Sequence, residues 1–183
     1  MAKQFPRLDQ RLTDFIQAQQ IFFVATAPAA GRVNCSPKGM DSLRVLAPDR
    51  ICWLNVTGSG NETAAHVLEN GRMTLMWCAF AGPPLILRAY GTARTVHRLD
   101  ADWEDLSAQL PQQPGARQIF DLKIELVQTS CGMAVPYFDF QEDRRLLSDW
   151  ANKKEADGTL AAYWEEKNLV SVDGQPTGLP LPE

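Results

Sequence analysis

A chain of 183 residues suits a single domain, with room for a sizeable core and a short terminal extension. Its 45% apolar and 22% charged residues give an ordinary globular balance. A formal net charge of -4 argues against a broad nucleic-acid surface, which needs a basic patch, and leaves one small anionic ligand open.

Leu8, Leu12, Phe15, Ile16 and Gln19 recur at helical intervals and predict a short amphipathic helix over residues 8–20. Residues 21–26 read as a buried strand, ended by Ala27-Pro28-Ala29-Ala30-Gly31. A second strand is predicted over 32–36, stopped by Pro37-Lys38-Gly39, and a third over about 42–46. Pro48-Asp49-Arg50 turns the chain into a fourth, over 51–56. Thr57-Gly58-Ser59-Gly60 is then a flexible polar loop. Asn61 suits the N-cap of a short helix through Thr63 and Leu68, which Asn70-Gly71 stops.

Strand character returns over 72–80, Gly82-Pro83-Pro84 turns, and 85–96 reads as a long strand. A helix follows over 100–110, with Asp100 as cap, and another strand within 118–130. Residues 142–155 and 160–168 look helical, anchored by Trp150, Tyr163 and Trp164. The tail, with Gly174, Pro176, Gly178, Pro180 and Pro182, is loop-like. Strands joined by tight turns favour an antiparallel sheet or barrel over a parallel one.

No apolar run approaches the length of a membrane span, and Met1 to Pro6 holds no signal-peptide core. A cytoplasmic protein with no membrane partner is expected. Cys35, Cys52, Cys78 and Cys131 lack metal-ligand spacing and read as small buried hydrophobes, without zinc.

The Gly-Ser-Gly loop feeding a helix start is the sharpest chemical feature. Backbone donors and the positive helix end suit a phosphate, with Ser59, Asn61 and Thr63 as added donors. A capped surface turn is the plainer alternative, because the segment lacks a P-loop ending or a dinucleotide fingerprint. Lys38 stands at a strand end where it reaches an anion, although most such lysines are solvated. Arg44 and Arg88 sit inside strand patterns, where they either line a pocket or face outward. His66 and His97 have no acid or nucleophile at a recognisable spacing, so a hydrolytic triad has no support. Trp77 and Phe80 are either core or cover for a flat ring.

Taken in order, Val33-Asn34-Cys35-Ser36-Pro37-Lys38-Gly39, then Trp53 through Thr63, then Asn70-Gly71-Arg72-Met73-Thr74-Leu75-Met76, resemble the pyridoxamine 5'-phosphate oxidase-like family. Leu87-Arg88-Ala89-Tyr90-Gly91-Thr92-Ala93 fits the same pattern, and the resemblance spans roughly residues 10–130. It implies a mainly β protein with flanking helices, built on a six-stranded antiparallel split β-barrel of the FMN-binding type. It also implies a homodimer with FMN at the interface. The barrel domain would span 1–135, and 136–183 would form a helical extension on the barrel or the partner subunit.

On this resemblance the expected cofactor-binding positions are Ser36, Lys38, Arg44, Asn55, Thr57, Ser59, Asn61, Thr63 and Arg88. Flavin-binding members often carry Arg-Arg or Arg-Lys where this chain has Glu62-Thr63, and Lys38, Arg44 and Arg88 are expected to compensate. The vitamin oxidase's late substrate residues have no counterpart after Leu126. The expected activity is therefore an FMN-dependent oxidoreduction of some other small molecule. Alternatives are a non-catalytic flavin, deazaflavin or haem binding protein, or a cofactor-free interaction module.

Overall fold

The computed structural model describes residues 2–181, and Pro182 of the loop-like tail lies outside the described residues. In chain order the elements are β1 (Lys3–Phe5), α1 (Gln10–Gln17), β2 (Phe22–Thr26), β3 (Asn34–Lys38), β4 (Leu43–Ala47), β5 (Arg50–Val56), α2 (Glu62–Asn70), β6 (Arg72–Cys78), β7 (Ile86–Val96), α3 (Trp103–Ser107), β8 (Ala116–Ser130), α4 (Leu146–Ala156) and α5 (Leu160–Lys167). The protein is mainly β, with an antiparallel sheet and flanking helices.

The hydrogen-bonded path runs β3-β2-β6-β7-β8-β5-β4, and β1 adds an eighth strand by pairing with β8. Strand β8 serves two neighbours along one edge: β5 covers Ala116 to Lys123, and β1 takes over at Val127 to Thr129. Both ends of the path feed one core. Val24 of β2, Trp53 of β5, Leu75 of β6, Leu87 of β7 and Leu122 of β8 are fully buried in it, while Leu43 and Val45 of β4 pack against it. The sheet is therefore curled, although its end strands β3 and β4 do not pair with each other. Trp53 stacks on Phe120 with ring centroids 4.7 Å apart, and Phe22 meets Trp53 edge-on at 6.0 Å. Helix α1 closes this core with Leu12 and Ile16, its start capped by Asp9, which accepts from the Leu12 amide at 2.8 Å.

Three irregularities in register shape the sheet. On β4, Leu46 has no partner opposite, because Val45 faces Ile51 and Ala47 faces Arg50. On β8, Glu125 is the extra residue between the pairs Tyr90–Leu126 and Gly91–Ile124. Further up β8, Asn55 faces Gln118 while Val56 faces Ala116, so Arg117 is left over. Such bulges bend a strand and re-aim a side chain.

Several expectations shift. Strand β3 runs through Pro37 rather than stopping before it, which an edge strand tolerates because proline's missing N–H faces no neighbour there. Lys3 to Phe5 form a short strand ahead of the predicted first helix. The helix expected over 100–110 is held to Trp103–Ser107. Of the cysteines, Cys52 and Cys78 are buried, but Cys35 and Cys131 are exposed: Cys35 points outward from the edge strand, and Cys131 follows the end of β8. His66 is a packing residue, with its Nδ1 2.9 Å from the Thr26 hydroxyl. Trp77 is core, whereas Phe80 meets Phe138 edge-on at the surface. Among the described residues, no helix is long and apolar enough to cross a membrane, and no three His, Cys, Asp or Glu side chains gather as a metal-binding group.

Candidate functional site

Alternation along β3 sends Asn34, Ser36 and Lys38 to one face of the strand. These three side chains, together with Asn55 at the end of β5, form one wall of a cavity of about 190 Å³. The opposite wall is the loop from Gly58 to Asn61 and the first turn of α2, with Glu62 and Thr63; Arg117, thrown inward by its bulge, completes it. Three strands, a glycine loop and a helix start thus converge on one small polar cradle.

The cradle is held by side chains that lie behind it. Asn61 occupies the cap position of α2 but makes no cap hydrogen bond. Instead its Oδ1 accepts from Gln118 Nε2 at 2.8 Å, and its Nδ2 donates to the Asn168 carbonyl at 3.3 Å. The first amides of α2 are thereby left without a side-chain cap, which favours an anion in front of them. Thr57 lies under the loop, buried, donating to the Gly115 carbonyl and accepting from Trp164 Nε1, both at 2.8 Å. Asn168 Nδ2 donates to the Gly58 carbonyl at 3.0 Å, so α5 and the residue after it brace the loop. On the strand side, Asn34 donates to Thr63 Oγ1 at 3.1 Å, and Ser36 donates to Asn34 Oδ1 at 3.0 Å.

Two cations face this space. Arg117 is 3% exposed; Nη2 donates to the Gly60 carbonyl at 3.2 Å, while Nε and Nη1 are buried with no partner among the described residues. Unpaired guanidinium nitrogens are costly in a folded core, so their presence in a cavity wall points to a missing acceptor. Burial lowers the Arg117 pKa to about 10, against the pull of Glu62 and Tyr163, and the group stays cationic at neutral pH. Lys38 is brought down to about 8, first by burial and then by Arg117, with Glu62 opposing. Its Nζ stands 5.5 Å from the centre of the Trp53 ring.

Of the residues singled out from the sequence, the fold gathers Ser36, Lys38, Asn55, Ser59, Asn61 and Thr63 at the cradle. Thr57 supports it from below. Arg44 is elsewhere, chelating the Asp41 carboxylate through Nη1 and Nη2 at 2.7 and 2.8 Å on the wall of a separate cavity. Arg88, on β7 between Met76 and Gln128, reaches Ser130 Oγ at 3.4 Å and does not line the cradle. Arg117 is the residue that sequence reasoning passed over. Its signal was a lone arginine at the head of an apolar strand, just before the predicted start at Gln118.

Lys38 also lines a larger cleft of about 890 Å³, with Met40, Phe80, Phe138, Phe140 and Leu147 among its walls. Anion cradle and apolar cleft therefore share one lysine.

The pyridoxamine 5'-phosphate oxidase family model matches residues 8–131. A pyridoxamine 5'-phosphate oxidase family protein of Aspergillus flavus, ustO, is 34% identical over 189 residues, covering 94% of this chain and 76% of its own. Among solved structures, HupZ of group A Streptococcus aligns with a TM-score of 0.52 at 21% identity, over 65% of this chain and 91% of its own. An FAD binding protein from Mycobacterium smegmatis aligns at 0.51 with 11% identity, over 68% of this chain and 96% of its own. On the family match and the Aspergillus relative, the chain belongs to the pyridoxamine 5'-phosphate oxidase family.

Proposed function

We propose that the protein is a flavin-dependent oxidoreductase acting on a small molecule, with the phosphate of FMN, or of a flavin bearing a longer phosphate chain, seated in the cradle. The observation that carries this reading is Arg117, a buried guanidinium with two unpartnered nitrogens in the lining of a cavity at a helix start. Arg117 and Lys38 neutralise the phosphate, and Ser36, Ser59 and Thr63 offer hydroxyl donors. Phe80, Phe138 and Phe140 give the ring an apolar surface that excludes water. The bound flavin would supply the redox chemistry through its ring system. The family, and the FAD-binding protein of similar fold, agree with a flavin here.

In the same reading the curled sheet is a six-stranded split barrel of the FMN-binding type with two added strands, working as a cytoplasmic homodimer. The four cysteines are free, as suits a reducing compartment. Beside the cleft, Met133, Tyr137, Phe138 and Phe140 are 81%, 79%, 62% and 57% exposed, an apolar stretch that a second copy would cover. Light scattering at micromolar concentration is expected to give the mass of two chains, and a monomer there counts against the shared site.

The cofactor itself is read from the purified protein by its absorption spectrum and by mass spectrometry of the released small molecule. Flavin bands are the expected result. A Soret band points to haem, and a colourless protein that cannot be reconstituted points to a cofactor-free module.

Lys38 gives the site a pH dependence. It is cationic below its lowered pKa of about 8 and neutral above, so phosphate affinity is full below that value and falls as pH rises through it. Lys38→Ala is expected to weaken FMN binding by about 1–3 kcal/mol at pH 7 and to flatten this fall. FMN titrations at pH 7 and pH 9 check both, and an unchanged affinity removes Lys38 from the site.

A further inference from the structure

The charges in the cradle bear on which kind of phosphate it takes, an inference that rests on the flavin-phosphate reading above. Glu62 lines the cavity with Lys38 and Arg117. Its carboxylate is turned toward the glycine loop, where a side chain on Gly60 would meet Oε2 at 2.5 Å and Oε1 at 2.7 Å. It acts electrostatically on both cations, raising the pKa of each, yet among the described residues it forms an ion pair with neither. It is thus a fixed negative charge in the wall and leaves both cations available to a ligand.

Two cations and one carboxylate leave the cradle a single net positive charge below the Lys38 pKa of about 8. A terminal phosphate monoester, whose second pKa is about 6, carries close to two negative charges at pH 7.5. A phosphoryl group esterified on both sides, or forming one half of an internal pyrophosphate, carries one and gains no second. The loop is also open on one side, because a side chain built on Gly58 would meet nothing within 4 Å. A chain continuing beyond the phosphate has a way out past that glycine.

We propose that the cradle seats one singly charged, internal phosphoryl group, such as one half of a dinucleotide flavin's pyrophosphate, in preference to a terminal phosphate dianion. Glu62 is the residue that sets this preference. It repels the second charge that a dianion places on the seated phosphoryl group itself, whereas in a pyrophosphate that second charge sits on the neighbouring phosphoryl group, farther from the carboxylate.

The test is a fluorescence titration at pH 7.5 of flavin-stripped wild type and Glu62→Gln with FAD, FMN and riboflavin. Wild type is expected to bind FAD more tightly than FMN. The glutamine variant is expected to tighten FMN about tenfold while FAD changes less than about threefold, a difference set by one repulsive charge at close range. The ratio between the two flavins in the two proteins removes any contribution from adenosine. A ratio that does not move on substitution, or a wild type that prefers FMN, overturns the assignment of Glu62. Riboflavin binding as tightly as both phosphorylated flavins overturns the phosphate cradle itself, and is read separately from the ratio. Melting temperatures of both proteins confirm that the variant is folded.

Discussion

Arg117→Met is expected to weaken binding of a phosphorylated flavin about 10- to 150-fold, the loss that follows from removing a charge-assisted hydrogen bond. The same substitution is expected to leave the flavin-free protein as stable as before, or more stable. The reason lies in the bulge between the Asn55–Gln118 and Val56–Ala116 pairs, which forces the guanidinium into the protein with one bond to the Gly60 carbonyl and two nitrogens unpaired. A buried charge in that state opposes folding, and a methionine of similar length removes the penalty. Binding and stability thus move in opposite directions. FMN titration and thermal melting of the same sample separate the outcomes: lower stability at unchanged affinity would make Arg117 a structural residue.

Gly91→Ala is expected to destabilise the fold by about 3 kcal/mol or more, beyond the usual range for overpacking because backbone is struck. A methyl group there would fall onto the Lys123 carbonyl oxygen, with the Ile124 Cα 3.1 Å away. Gly91 faces Ile124 immediately beside the Glu125 bulge, in the pairing of the two longest strands. Relief would require moving β8, which carries Phe120, Leu122 and Val127 into the core. A fall in melting temperature of roughly 6–12 °C follows for a domain of this size. A loss below about 1 kcal/mol in denaturant titration would mean that the strands yield there more easily than their packing indicates.

Local patterning made much of the fold legible. The alternating apolar positions of β2, β6 and β7, the glycine loop and the stop at Asn70-Gly71 all stand in the sequence, because each depends on residues close to one another. The same locality exposed most of the cradle, since Ser36, Lys38, Ser59, Asn61 and Thr63 flank recognisable turns. Long-range features were hidden. A bulge is set by the register of two strands some sixty residues apart, so nothing around Arg117 announces that it turns inward. Asn61 has the right identity for a cap, but distant Gln118 and Asn168 engage its side chain. Arg44 looked like a pocket cation, and the turn at Met40 and Asp41, both at positive φ, brings it an acid of its own. β1 is too short for any period to mark and exists because β5 leaves the end of β8 uncovered.

The most direct measurement is a side-by-side titration of the flavin-free protein with riboflavin and with its phosphorylated forms, FMN and FAD. Both phosphorylated flavins are expected to bind at least about tenfold more tightly than riboflavin, because the cradle contributes through charge-assisted bonds to phosphate. Equal affinity for all three, or no binding of any, would contradict a flavin held by its phosphate between Arg117, Lys38 and the start of α2.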